Sequence, residues 1–286
     1  MTVYVPRHEF PLEGAEVRAE KLDRNARERI GGLERSPDGF NMALGTSLLA
    51  AQTHCATDPR AAQLPTWEAW VTAMQVGSAL FTAATATEET VSCRIADKPR
   101  TIRAVGPRRY TDAGNWLTAF WLAVICREQE RMTRLLHVPL PLLRASGAVF
   151  DDYIYAWVEA LQVAWRQGGD LGELLSAAMG GTAPDSLRVA DPELVLKVLY
   201  PPINLFCRYL TRQHEEFNEA LYDALRWHKE YWNGNEERRG SSSGLVALGP
   251  LAVACLAHDA GFPIEVESEY LPKHLLTGSW LNEFET

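Results

Sequence analysis

The pattern of hydrophobic and polar positions predicts a chain built mostly of helices. Apolar residues recur at every third or fourth position along most of the sequence, which is the spacing of one helix face. The predicted helices sum to roughly 60% of the residues, against about a third in an ordinary globular protein. Short loops join them, which favours antiparallel neighbours. No period of 34 or 40 residues repeats, so the pattern does not favour a repeat solenoid.

The most apolar segment is residues 111–137. Its first half, as far as Cys126, is apolar on every side, and a helix of that kind must be surrounded by other elements. From Arg127 onward the segment is polar apart from a narrow inner stripe. We therefore predict one long central helix, capped by Thr111 or Asp112, that is buried first and then reaches the surface.

Two segments depart from the helical pattern. Residues 91–95 and 101–103 alternate around a turn at 96–99, so we predict a small β-hairpin near 90–104. The chain also begins with an extended arm, about 1–14, and ends with an acidic segment, about 259–286. No linker forces a division, so we predict one all-α domain of residues 1–286. In it, a single array of antiparallel helices surrounds the buried central helix.

Charge and composition limit the choice of partners. The 286 residues are 47% hydrophobic, which is ample for a core, and the net charge is −9. Binding to nucleic acid or to an anionic membrane needs clustered cationic charge, so we expect neither partner. A basic protein partner is compatible with this charge. The sequence carries no signal for an oligomeric state.

The cysteines and the N-terminus indicate a compartment. Five widely spaced cysteines, an odd number, favour a reduced protein without disulfides. No apolar segment follows a positive start, so we expect no signal peptide. No apolar run approaches the 18–20 residues of a membrane span. We therefore expect a cytoplasmic protein.

The catalytic and metal-binding motifs in the sequence are incomplete. Residues 240–244 match G-x-S-x-G, but charged residues precede them where a nucleophile elbow needs a strand. His228 and Glu230 match the H-x-E of zinc deaminases, but the paired cysteines that must follow are missing. His214 begins an H-E-x-x-H pattern that ends at Asn218 instead of histidine. Phosphate-binding glycine motifs are also missing, so we expect no metal and no cofactor.

Carboxylates form the most suggestive groups. Asp151 and Asp152 begin a predicted helix, 150–167, and a helix start explains them. Two other stretches suit either a solvated surface or an acidic docking strip for a basic partner. One lies on a face of the predicted helix 214–232, and the other alternates along an extended run that places its members on one face. We predict as partner-binding residues Glu215, Glu216, Glu219, Asp223, Glu265, Glu267 and Glu269.

Several segments together resemble the immunity 49 family over nearly the whole chain. Such proteins are similar to the antidotes of bacterial polymorphic toxin systems, and the resemblance implies a helical protein without a cofactor. The segments are TWEAWVTAMQVGSALFTAATATE (66–88), DAGNWLTAFWLAVICREQERM (112–132), DDYIYAWVEALQ (151–162), LYPPINLF (199–206), WHKEYW (227–232) and GLVALGPLAVACLAHDAGFPIEVESEYLPKHLL (244–276).

The resemblance implies a protein that binds a cognate toxin domain and neutralises it in a stoichiometric complex, with no catalytic residue to carry over. Two other hypotheses stay open. The first is a helical small-molecule-binding or hydrolytic enzyme with a pocket formed by His228, Glu230 and His258. The second is a helical scaffold in a larger signalling complex.

Overall fold

A computed structural model describes residues 2–281. The chain is 62% helical and 6% strand, which confirms the predicted helical class with a small hairpin. The strands are β1 (Val3–Val5), β2 (Thr90–Ile95), β3 (Lys98–Arg103) and β4 (Val266–Ser268).

The helices vary from single turns to more than twenty residues. They are α1 (Ala15–Gly32), α2 (Phe40–Thr57), α3 (Leu64–Thr85), α4 (Ala113–Ile125), α5 (Gln129–Leu136), α6 (Leu140–Arg144), α7 (Tyr153–Arg166), α8 (Leu171–Gly180), α9 (Pro192–Leu194), α10 (Pro201–Leu210), α11 (His214–Trp232), α12 (Glu236–Arg239), α13 (Leu248–Asp259) and α14 (Lys273–Leu276).

These elements form two compact units. The N-terminal unit comprises Leu12–Ala148 and, of the described residues that follow the other unit, 278–281. The C-terminal unit comprises Val149–Thr277 together with the arm that ends at Pro11. The single domain of residues 1–286 stays a prediction. Of the predicted acidic segment, residues 282–286 lie outside the described part of the chain.

In the N-terminal unit, α1, α2, α3 and α4 pack in succession. The aromatic face of α3 is buried, with Trp67, Trp70, Met74 and Phe81 at most 3% exposed. Burying each such side chain contributes about 1.5–3 kcal/mol, so this face anchors the unit.

The predicted long central helix is two helices, and this part of the prediction is wrong. The break lies at Arg127, whose φ of 55° is left-handed. The N–H of Glu128 donates to the carbonyl of Ala123 at 2.9 Å, and that of Arg127 donates to Val124 at 3.0 Å. These two bonds close α4 as a left-handed C-terminal cap usually does with glycine. The Arg127 guanidinium also donates to the Ile125 carbonyl at 2.8 Å.

The two helices keep the division between buried and exposed halves. Asp112 is the N-cap of α4 and accepts a hydrogen bond from the N–H of Asn115 at 2.9 Å. The indole N–H of buried Trp116 donates to the carbonyl of Leu135 in α5 at 2.8 Å. This bond fixes how α5 turns back on α4, so the pair still brings the chain from the core to the surface.

The hairpin lies where the sequence predicts it. Its two-residue turn, Ala96 and Asp97, has φ values of 50° and 64°, as a type I′ turn requires. The N–H of Ala96 donates to the side-chain oxygen of buried Gln75 at 2.9 Å. Because Gln75 belongs to α3, this bond joins the hairpin to a helix of its own unit.

The C-terminal unit is built around α10, α11 and α13. Before α10 the chain forms one π-helical stretch, Val195–Leu199, where the proline pair at 201–202 prevents a regular helix. In the described chain one helical stretch, Ser242–Asp259, is long and apolar enough to cross a membrane, with a mean hydropathy of 1.3, so the expectation that no apolar run approaches that length is wrong. It is 61% buried within the fold, as the core helix of a protein domain is.

Strand β1, near the N-terminus, pairs with strand β4, which follows α13. Strand β1 lies parallel to β4, with Val3 opposite Val266 and Val5 opposite Ser268. Both strands contact α11. The extended N-terminal segment and the alternating run after α13 therefore form one side of a surface whose other side is α11.

Candidate functional site: an acidic groove

An open groove of about 640 Å³ lies between α11 and the β1–β4 strand pair. Its volume is within the range of about 300–1,000 Å³ usual for binding pockets. We call it the acidic groove. Its lining is Val3, Glu215, Asn218, Glu219, Tyr222, Asp223, Glu265 and Val266.

Four of the seven predicted partner-binding residues meet in the acidic groove. Glu215, Glu219 and Asp223 follow each other at four-residue intervals, which places them on one stripe of α11. Glu265 comes from the residue before β4. Glu216, Glu267 and Glu269 lie outside the lining, and the Tyr4 hydroxyl is 3.5 Å from Glu269 Oε2.

The acidic groove has little internal counter-charge. Among the residues that the structure describes, no Lys, Arg or His lines it. Asp223 pairs with Arg226 at 3.2 Å, and both side chains are about half exposed. Within residues 2–281, Glu215 and Glu219 form no ion pair. Exposed carboxylates at this density repel one another, so a cationic partner would be attracted to the groove.

Asn218 fixes the geometry of the groove. The backbone N–H of Glu265 donates to Asn218 Oδ1 at 2.7 Å. The Asn218 amide donates in turn to the carbonyls of Pro263 at 2.8 Å and His214 at 2.9 Å. The N–H of Val3 donates to the Glu265 carbonyl at 2.8 Å. One side chain of α11 therefore holds the strand segment, which in turn holds the arm.

Large apolar side chains are exposed at the same place. Val3 is 45% exposed and Tyr222 is 37% exposed, and both line the groove. Tyr4, the next residue of β1, is 56% exposed but does not line the groove. Single exposed apolar residues are common, but a group of them rimmed by charge marks an interaction surface.

A buried polar contact holds the arm that forms one wall of the groove. The hydroxyl of Tyr270 accepts a hydrogen bond from the backbone N–H of His8 at 2.9 Å and lies 2.8 Å from its ring Nδ1. Both side chains are at most 4% exposed. Burial, reinforced by the charge on Arg7, lowers the pKa of His8 to about 4. The ring is therefore neutral at pH 7, and its Nδ1 can accept a hydrogen bond from the Tyr270 hydroxyl.

His228 lies against the same tyrosine. Its Nε2–H donates to the carbonyl of Gly244 at 3.0 Å, and its ring meets Tyr270 edge-on at 4.8 Å. Burial lowers its pKa to about 4, although the bond to Gly244 opposes the shift. Gly244 is required here, because a Cβ at that position would lie 2.6 Å from the ring of Trp232.

The enzyme hypothesis placed His228, Glu230 and His258 in one pocket, and the structure gives them separate surroundings. His228 is buried in packed aromatic side chains. Glu230 is exposed and its carboxylate lies 3.6 Å from Lys197 Nζ. His258 is 38% exposed beside Asp259. The sequence at 240–244 likewise forms a short 3₁₀ turn rather than a strand-to-helix elbow.

Metal-binding groups are also missing from the part of the chain that the structure describes. Among residues 2–281, no three His, Cys, Asp or Glu side chains are placed to hold a metal ion. None of the five cysteines, all within residues 2–281, forms a disulfide, and four of them are buried.

Asp151 makes long-range hydrogen bonds that its place in the sequence does not predict. Its carboxylate accepts hydrogen bonds from the backbone N–H groups of Arg188 at 2.6 Å, Val189 at 3.1 Å and Ala190 at 2.9 Å. Burial alone would raise the pKa of Asp151, but these three donors and the charge on Arg188 lower it. Asp151 therefore holds a distant loop in addition to preceding α7, so the helix-start explanation was incomplete.

The residues that complete the site gave no local sequence signal. His8 and Tyr270 are 262 positions apart, and Asn218 had been considered only as the residue that spoils a zinc motif. Val3 and Tyr222 occupy apolar positions that form no functional pattern in the sequence. Only the acidic periodicities could be seen in the sequence, because they are local.

Comparison with known proteins gives one finding. A family model, Immunity protein 49, matches residues 58–275, which is most of the chain and includes α11 and β4 of the acidic groove. No curated protein and no solved structure matches the chain. The helical fold, the family match and the earlier resemblance agree, and the chain belongs to the Immunity protein 49 family.

Proposed function

We propose that this protein binds a cognate bacterial toxin domain in the cytoplasm and neutralises it by forming a stoichiometric complex, as part of a polymorphic toxin system. Membership in the Immunity protein 49 family supports the immunity role. The observation that carries the proposal is the acidic groove, where Glu215 and Glu219 have no ion-pair partner within residues 2–281 and Val3 and Tyr222 are exposed.

A protein of this kind needs a rigid complementary surface and no reaction chemistry of its own. The acidic groove supplies charge that attracts a basic partner, and the net charge of −9 adds long-range steering. Close charge pairs across an interface speed association and strengthen the complex. Exposed Tyr222 and Val3 supply the apolar contact that slows dissociation.

The direct test uses the toxin domain encoded nearest to the gene. Co-expression with this protein should restore growth of cells that the toxin alone kills. Size-exclusion chromatography with light scattering should give a complex of fixed stoichiometry. Absence of both binding and protection would contradict the proposal.

A titration separates stoichiometric inhibition from catalysis. Purified toxin activity should fall in proportion to added protein and reach its minimum at the molar ratio of the complex. An enzyme that destroys the toxin or its product would instead act at a small fraction of that ratio. Complete protection at about one molecule per hundred toxins would therefore overturn the proposed mechanism.

A further inference from the structure

Three carboxylates of the groove, which we call the acidic row, are evenly spaced along one helix. Glu215, Glu219 and Asp223 are four residues apart on α11, so successive carboxylates are displaced by about 6 Å along the helix and the row spans about 12 Å. A second helix that carries Lys or Arg at every fourth position presents cations with the same repeat. Such a helix can place three cations beside the three carboxylates at once.

The backbone of Glu265, in the groove wall, is already hydrogen-bonded. The N–H of Glu265 donates to Asn218 and its carbonyl accepts from Val3, so neither group is available to an incoming strand. Pairing with a strand needs a row of free N–H and C=O groups. At Glu265 the groove therefore offers a side chain and no free backbone group, as a groove that receives a helix does.

The groove also has an apolar part. Tyr222 is 37% exposed and Val3 is 45% exposed, and both line the groove. An apolar side chain between the cations of the incoming helix would cover these groups. Charged and apolar contacts together are usual in a protein interface.

We propose that the acidic groove receives an amphipathic helix of the toxin with Lys or Arg at four-residue intervals and an apolar residue between them. This inference rests on the proposed function, because it names the part of the toxin that binds. It assigns roles to both sides of the groove: α11 supplies the row of three carboxylates and Tyr222, and Val3 of β1 supplies apolar contact on the opposite side.

The test uses synthetic peptides and the full chain. The first is an alanine-based peptide of about 17 residues, long enough to be helical, with lysines at every fourth position and one leucine between them. The second has the same composition with the lysines distributed around the helix. The third keeps the first pattern but carries a central proline, which prevents a helix. Binding is measured by fluorescence anisotropy.

The first peptide should bind at least about tenfold more tightly than the other two, because three charge pairs that form together each contribute a modest factor. Its affinity should fall as salt is raised. Equal binding of the first two peptides would mean general attraction to an acidic protein and would overturn the inference. Tighter binding of the proline peptide would favour an extended ligand and would also overturn it.

Matched variants locate the binding. The groove variant E215Q/E219Q/D223N removes three charges from α11. The control E16Q/E20Q/E28Q removes the same number from exposed positions of α1. The groove variant should lose at least about tenfold in affinity for the first peptide, and the control should retain it, since only the former removes the pairs. Equal losses in both variants would contradict a specific site.

The toxin assay distinguishes the two levels of the proposal. If the groove variant still binds the toxin and protects cells as wild type does, the groove is not the docking site and the proposed function stands. If wild type fails to bind the toxin, the proposed function itself fails. Loss of toxin binding in the groove variant alone, with native circular dichroism, supports both.

Discussion

The acidic groove and the buried polar contacts of the C-terminal unit use similar side chains in opposite ways. Asp151 is 8% exposed and its carboxylate is surrounded by three backbone N–H donors. Glu215 and Glu219 are exposed, and the described chain offers them no cation. The first arrangement stabilises the fold, and the second leaves charge that a partner can use.

The histidines show the same division. His8 and His228 are buried, with hydrogen bonds to Tyr270 and Gly244 that hold the arm and α11 in place. A polar group with its partners inside the fold contributes to stability, and removing it leaves other buried groups unsatisfied. A charged group without such partners can be changed at little cost to the fold. Stability and binding should therefore respond to different residues.

The largest expected effect is a loss of stability in acid. The folded-state pKa of His8 and of His228, about 4, lies below the unfolded value of about 6.5. The unfolded chain therefore takes up protons first, so the stabilising contribution is complete above pH 6.5 and is lost as the pH falls toward 4. Between pH 7 and pH 5, the lowered pKa of each ring should reduce the free energy of unfolding by on the order of 2 kcal/mol. Urea unfolding at the two pH values measures this change.

The double variant H8Q/H228Q checks the cause of the acid effect. It should be less stable than wild type at pH 7, and its stability should change much less between pH 7 and pH 5. The variant H137Q replaces an exposed histidine and serves as the matched control. An unchanged pH dependence in the double variant would assign the acid effect to other groups.

Removal of Asp151 is expected to have the next largest effect. Asp151→Ala leaves the N–H groups of Arg188, Val189 and Ala190 without their acceptor. Orphaned donors cost about 1–3 kcal/mol each when buried, and these are part-buried, so we expect a loss of about 3 kcal/mol in the free energy of unfolding. Urea unfolding at pH 7 measures it.

The neighbouring residue provides the control for Asp151. Asp152 is exposed, so Asp152→Ala should cost less than about 1 kcal/mol. Toxin binding by folded Asp151→Ala protein should match that of wild type, since Asp151 does not line the groove. Similar losses of stability in the two variants would show that the helix start, and not the loop contact, explains Asp151.

The sequence predicted the local patterns and missed the contacts between distant segments. The four-residue repeat of Glu215, Glu219 and Asp223 is visible because it lies within one helix. Its meeting with Val3 depends on β1 pairing with β4, more than 260 positions away. No single-sequence pattern encodes that pairing, so the acids could be predicted as candidates but not as one groove.

The break of the central helix had a similar reason. Helices that end in a left-handed residue usually have glycine there, and neither glycine nor proline occurs between Trp116 and His137 to mark such an end. Arg127 takes that conformation with a side chain, at a cost of about 1–2 kcal/mol. Its guanidinium bond to the Ile125 carbonyl and the two closing backbone bonds offset that cost. The apolar pattern therefore located both halves correctly but not the turn.

The smallest expected effect is the one that best distinguishes residues that bind the partner from residues that stabilise the fold. Glu219 lies four residues from Glu215 and from Asp223, and like charges at that spacing destabilise a helix by about 0.2–0.5 kcal/mol a pair. Glu219→Gln should therefore raise the free energy of unfolding by about 0.5 kcal/mol at low salt while it weakens toxin binding. Glu130→Gln, which removes the pair with Arg134 at 2.6 Å, should lower stability by a similar amount and leave binding unchanged. Urea unfolding of the two variants side by side measures these opposite changes in the free energy of unfolding. A loss of stability in Glu219→Gln would mean that the fold uses this carboxylate, and the division between the two regions would not hold.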